Sequence, residues 1–283
     1  MPEKYSKRLL AFYGTMIEVN EKKDFRAMKD TIEILGVRVN LEDYDSSIEK
    51  VEEHINNEYP TGYVTLMCAD SLVNAQKNRF FKEISNKSYL SLPDGIPLVW
   101  IARSKGAKKI KTNTRGTAFM FKFFERTFQK KYTHFFYGGK QGVAEQLKRV
   151  FETKFSGVKI VGTYCPPFRK LTEAEDSRIC EMINSSGTDI VWVGLGAPKQ
   201  EYWMNEHKEK LNVSLMIGVG AAFDFLTGNA KEAPRWMQSN GLEWVFRLLT
   251  EPRRLWRRYL IGNSLLIYWL IKEKFNNQRE VKK

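Results

Sequence analysis

Four short segments place glycine or acid directly after an apolar run, and chemistry is expected there. The first, 92–97 (LPDGIP), puts Asp94 where a strand gives way to a helix. A carboxylate in that position can take a proton from a hydroxyl as a general base. Asp-Gly is also ordinary capping and turn chemistry, and spacing alone leaves both open. In 135–142 (FFYGGKQG), Gly138 and Gly139 would let backbone N–H groups approach a phosphate, or would simply make a tight turn. In 191–201 (VWVGLGAPKQE), Gly194-x-Gly196 follows an apolar strand, and Lys199 stands where a dinucleotide fingerprint has its third glycine. Pro198 suits a first helical turn. Gln200 and Glu201 then fall near the positive end of that helix, within reach of a bound nucleotide. In 217–224 (IGVGAAFD), Gly220 is followed four residues on by Asp224, an acid suited to ribose hydroxyls or a base edge, or to capping a bend.

Elements that would position these loops follow from periodicity. Apolar runs at 31–39, 63–67, 89–92, 133–137, 159–162, 189–193 and 215–219 predict strands. Helical spacing between them covers 46–55, 70–84, 118–129, 143–155, 173–184 and 199–211. Strand–helix alternation predicts an α/β protein whose mostly parallel sheet is flanked by helices, with ligands at the carboxyl ends of strands. Residues 1–230 form this core. From 231 the strand signals stop, and residues 231–283 read as a basic, aromatic, helical appendage. Its last helix, about 252–275, opens with Arg253, Arg254, Arg257 and Arg258, and continues through an apolar stretch at 259–271. That stretch is too short and polar to cross a bilayer, but suits lying in an interface.

Charge narrows the partners. The 283 residues carry 46 Lys+Arg against 33 Asp+Glu, net +13, and the appendage holds twelve of those bases against five acids. Such a chain should seek phosphates or an anionic leaflet. Nucleic acid fits the charge, but no recognition motif supports it. Three widely spaced cysteines without C-x-x-C, and only three histidines, argue against a disulfide framework and a zinc site, and fit a reducing cytosol. The first 24 residues lack the pattern of a secretory leader. P-loop, H-E-x-x-H and nucleophile-elbow motifs are absent. Asp43-Tyr44-Asp45 is a D-x-D, but with Ser46 and Ser47 it reads as a helix cap.

The ordered set 93–95 (PDG), 136–139 (FYGG), 162–168 (GTYCPPF), 193–201 (VGLGAPKQE), 218–224 (GVGAAFD), 233–236 (APRW), 241–248 (GLEWVFRL) and 251–259 (EPRRLWRRY) resembles the WecG/TagA/CpsF glycosyltransferases, glycosyltransferase family 26. The resemblance runs from Ile32 to Tyr259. It implies a Rossmann-like fold and an inverting, metal-independent transfer of a sugar from a UDP-sugar to a polyprenyl-diphosphate-linked sugar. No cofactor is implied, and the appendage would close the site and meet the membrane. It carries the base role onto Asp94, a substrate-side role onto Thr65, and uridine-diphosphate contacts onto Gln200 and Asp224. Gly138, Gly139, Gly196, Glu201 and Gly220 are expected around the nucleotide, with Arg247, Arg254, Arg257 and Arg258 at the diphosphates. The protein would sit peripherally at the cytoplasmic face of the membrane, with homo-oligomerisation left open. Two departures stand out: Met67 replaces the Asn of a family Thr-x-Asn, and Asn113 and Ala118 replace an Arg and an Asp beside Arg115–Gly116. The competing readings are a basic membrane-associated or RNA-binding scaffold and, lacking its third glycine, a nicotinamide-dependent dehydrogenase.

Overall fold

A computed structural model describes residues 30–280. The N-terminal stretch read above for a leader lies outside the described residues. The first described element is a two-stranded sheet, β1 (Thr31–Ile34) and β2 (Val37–Asn40). The sequence reads this stretch as one strand. Leu35 and Gly36 instead turn the chain, at φ 55° and 76°. A type I′ hairpin turn needs positive φ at both central positions, and leucine gives no such signal.

The remaining strands are β3 (Gly62–Met67), β4 (Leu90–Pro93), β5 (Thr133–Gly138), β6 (Lys159–Tyr164), β7 (Ile190–Gly194) and β8 (Leu215–Gly218). They form one parallel sheet in the order β4-β3-β8-β7-β5-β6. Alternation along each strand divides the core. Phe136, Ile190, Trp192, Leu215 and Ile217 face α1 (Tyr44–Asn56), α5 (Gly116–Thr127) and α6 (Val143–Lys154). Phe135, Tyr137, Val191, Val193 and Met216 face α7 (Glu173–Ser185) and α8 (Lys199–His207). This is the doubly covered parallel sheet that near-continuous apolar strands require.

A third apolar cluster joins the hairpin to α2 (Ala69–Lys77), α3 (Arg79–Asn86) and α4 (Ile96–Ser104). The single helix expected over 70–84 is broken at Asn78, whose backbone is extended and whose side chain accepts the Phe81 N–H at 3.0 Å. Asp43 does cap α1, accepting from the Ser46 N–H at 3.0 Å in a reciprocal capping box. That bond holds its carboxyl below the usual range. His54 and His134 are buried structural residues: His54 sits 3.1 Å from the Pro60 carbonyl, and His134 Nδ1 accepts the Trp192 indole N–H at 3.3 Å.

After β8 come α9 (Ala222–Leu226), α10 (Arg235–Ser239), α11 (Glu243–Thr250) and α12 (Pro252–Trp256). A π-helical turn at Arg257–Ile261 then leads into α13 (Gly262–Glu280). The last helix is packed down. Leu266 is buried against the third cluster with Trp269 and Leu270 beside it, and Glu273 pairs with Lys105 at 2.6 Å. From Ile32 onward the described chain is one compact unit. Among the described residues no helix is long and apolar enough to cross a membrane.

Candidate active site

The carboxyl ends of the sheet open into a cleft of about 1970 Å³. Asp94 stands in it after β4, and the loops after β5, β7 and β8 form its floor. The appendage supplies the opposite wall through Glu243, Arg247, Glu251, Arg254 and Arg258. Ten Lys/Arg against seven Asp/Glu line it, which suits an anionic ligand.

Asp94 is anchored by its backbone, donating its N–H to the Met67 carbonyl at 2.7 Å. Burial pushes its carboxyl up to about 7, with Glu243 adding to the rise; Arg115, Arg247 and Arg258 offset part of it. A carboxylate that titrates near neutrality and opens onto a cleft has the properties of a general base. Arg115, at the start of α5, ties the core to the appendage. It donates to Glu243 at 3.1 Å and to the Gln238 side chain at 2.6 Å, and lies 3.6 Å from Glu232. Its backbone N–H meets the Tyr44 hydroxyl at 3.1 Å.

The four appendage arginines divide by helical phase. Arg254 and Arg258 line the cleft, whereas Arg257 lies over the Trp256 ring at 5.2 Å and is not among the lining residues. Arg258 is anchored by Asp70 at 3.2 Å and by the Cys68 thiol at 3.4 Å. Arg247 lies 5.7 Å from the Phe225 ring centroid, and its Nε has no hydrogen-bond partner among the described residues.

The nucleotide-side residues also divide. Gly139, Gly196, Gln200, Gly220 and Asp224 line the cleft. Gly138 does not: it lies behind the lining, where an added Cβ would fall 2.6 Å from the Gly194 backbone. Its absent side chain lets β5 and β7 close together at their ends. Gly196, at φ 76°, has open space around the Cβ position and leaves the loop backbone bare to the cleft. Gln200 is committed internally, accepting the Gly220 N–H at 3.0 Å and donating to Glu201 at 3.2 Å. Thr65 and Glu201 are sealed from solvent and do not line the cleft. The Thr65 hydroxyl and Glu201 Oε2 have no hydrogen-bond partner among the described residues.

Sequence reasoning passed over Glu243 as a site residue and left Arg115 without a role. Their pairing spans 128 positions, and no local pattern announces it. Of the two departures, Met67 and Asn113 are buried. Arg115 is the guanidinium that reaches the cleft in that region.

One relative is an N-acetylglucosaminyldiphosphoundecaprenol N-acetyl-beta-D-mannosaminyltransferase of Bacillus spizizenii, 29% identical over 225 residues, covering 78% of this chain and 84% of that protein. Residues 32–280, which include the whole sheet, the cleft and the appendage wall, match the glycosyl transferase WecG/TagA/CpsF family, and the chain belongs to that family.

Proposed function

We propose that this glycosyltransferase moves a sugar from a UDP-sugar to a polyprenyl-diphosphate-linked sugar, with inversion and without a catalytic metal. The observation that carries the reading is Asp94: a carboxyl raised to about 7, open to a basic cleft and faced by arginines of both the core and the appendage. Deprotonated Asp94 removes the proton of the acceptor hydroxyl as that oxygen attacks the anomeric carbon. The bond to the UDP oxygen breaks on the opposite face, so a single displacement needs only this one carboxylate. Negative charge gathers on the leaving diphosphate. Arg247, Arg254 and Arg258 supply the compensating charge, and the bare loop backbone at Gly196 supplies an N–H donor. Asp224 holds the nucleoside side, while Gln200 shapes the loop at Gly220 that supports it.

The acceptor class follows the relative's name, which specifies an undecaprenol-linked acceptor. A surface feature supports a lipid-linked substrate. Leu260, Ile261, Ile267, Tyr268 and Ile271 are each about half exposed and Phe275 is 62% exposed. Their spacing draws one stripe along the π-helical turn and α13, and exposed Arg253 and Arg257 precede it. Apolar side chains beside arginines suit a helix lying on an anionic leaflet. We therefore place the protein peripherally at the cytoplasmic face of the membrane.

The test is UDP release from a panel of UDP-sugars, with and without a short-chain polyprenyl-diphosphate N-acetylglucosamine acceptor, in EDTA. Acceptor-dependent turnover of one donor, undiminished by EDTA and giving the inverted anomer by NMR, is the expected result. Absence of turnover and of UDP binding would overturn the reading.

A further inference from the structure

On the face of the sheet covered by α7 and α8, three donor groups of different chemistry converge. Asp176 and Cys180 are one helical turn apart on α7, and His207 ends α8. One ligand atom from each lies within 4.8 Å of the other two. Cys180 and His207 are buried, and Asp176 and His207 line the cleft.

The histidine geometry is the telling feature. His207 Nδ1 lies 2.8 Å from the Trp203 carbonyl, which can only accept, so Nδ1 carries hydrogen. That leaves Nε2 as the ligating nitrogen, and it faces Asp176 Oδ1 at 2.8 Å. A ring nitrogen tied to a backbone carbonyl while the other faces the site is the arrangement of a metal-bound imidazole. The Trp203 ring stacks on the imidazole, with centroids 4.3 Å apart, and fixes its plane. Lys210 Nζ holds the second Asp176 oxygen at 2.9 Å, orienting the first toward the ring.

We propose that Asp176, Cys180 and His207 form a binding site for a thiophilic divalent cation of the zinc class, with its fourth position open to the cleft. Tetrahedral bonds of about 2.0–2.3 Å need ligand atoms roughly 3.3–3.6 Å apart. The Asp176–His207 pair therefore opens by about half an ångström on binding. Without metal, His207 faces acceptors at both nitrogens, and Cys180 is a thiol. Binding takes a bare Nε2 and a thiolate, so the thiol proton leaves together with any proton on Nε2. The site is not the catalytic centre. It would pin α7 to α8 along the cleft wall.

The experiment is titration of the full chain with Co2+, read by the near-ultraviolet thiolate-to-cobalt band and by calorimetry in buffers of different ionisation enthalpy. One Co2+ per chain, release of the thiol proton, displacement by Zn2+ and a Zn2+-dependent rise in Tm are expected. Cys180→Ser should abolish the band, and Asp176→Asn and His207→Asn should weaken binding at least about tenfold. Cys68→Ser and Cys165→Ser should keep the band. Each variant's melting in EDTA reports its folding separately. A wild-type protein without the band at about 1 mM Co2+, or a band that persists in Cys180→Ser, overturns the site. So does imidazole 15N NMR showing His207 doubly protonated at saturating Zn2+. Transferase activity enters none of these readouts, so failure here leaves the proposed reaction standing.

Discussion

Asp94 and Glu201 are two carboxyls that burial pushes to the same place, each up to about 7. Asp94 ends a strand and opens onto the cleft. Glu201 lies in the first turn of α8, 1% exposed, with one oxygen bonded to Gln200 and the other without a hydrogen-bond partner among the described residues. Desolvation raises both; Gln200 and Arg258 pull Glu201 back only in part. A shifted carboxyl is thus a poor guide by itself. Access decides which of the two can meet a substrate hydroxyl. The buried one is a cost in stability carried behind the site.

Substitution separates the two carboxyls, and the greatest loss is expected at Asp94. Asp94→Ala should lower acceptor-dependent turnover by about 10²–10⁴ while leaving UDP affinity within a few-fold, because the base acts in the transition state. Steady-state kinetics and calorimetry with UDP check this. Arg247→Ala and Arg258→Ala each remove a charge facing the leaving group, and a loss of about 10²–10³ in kcat is expected. Arg257→Ala, outside the cleft, should stay within a few-fold in a detergent-free assay with a water-soluble acceptor, and should weaken binding to anionic vesicles instead.

Glu201→Gln should give the smallest change in activity and an opposite change in stability. The folded-state pKa of Glu201 lies above its unfolded value near 4.3. Stability therefore falls as pH rises from about 4 to 7, and the full cost of the buried charge is present above 7. The glutamine removes that cost. Its Tm should exceed the wild type's by about 2–4 °C at pH 8 for each kcal/mol recovered, and match it near pH 4. Melting curves at the two pH values decide the point.

Much of the scaffold was legible because strands and helices differ in period. The strand-end glycines and Asp94 could be read because loops after parallel strands are where ligands bind. Other features resisted for physical reasons. Leu35 at positive φ hid a hairpin inside a β-branched run, and the periodicity of 70–84 masked a break that Asn78 makes by capping the next helix. Positions four apart share a direction, so Arg254 and Arg258 enter the cleft while Arg257 lies over a tryptophan. Thr65, Gly138 and Glu201 sit beside cleft residues in the chain yet behind them in space, a distinction set by strand alternation and helix packing. The Arg115–Glu243 tie joins core to appendage across a span that no local pattern covers.

The most direct measurement is the pH dependence of kcat/KM for wild type and Glu201→Gln side by side. A rise through about pH 7 is expected in both, since Asp94 must lose its proton and Glu201 plays no part. A limb that vanishes or moves by a unit or more in Glu201→Gln, or a flat wild-type profile, would contradict Asp94 as the base.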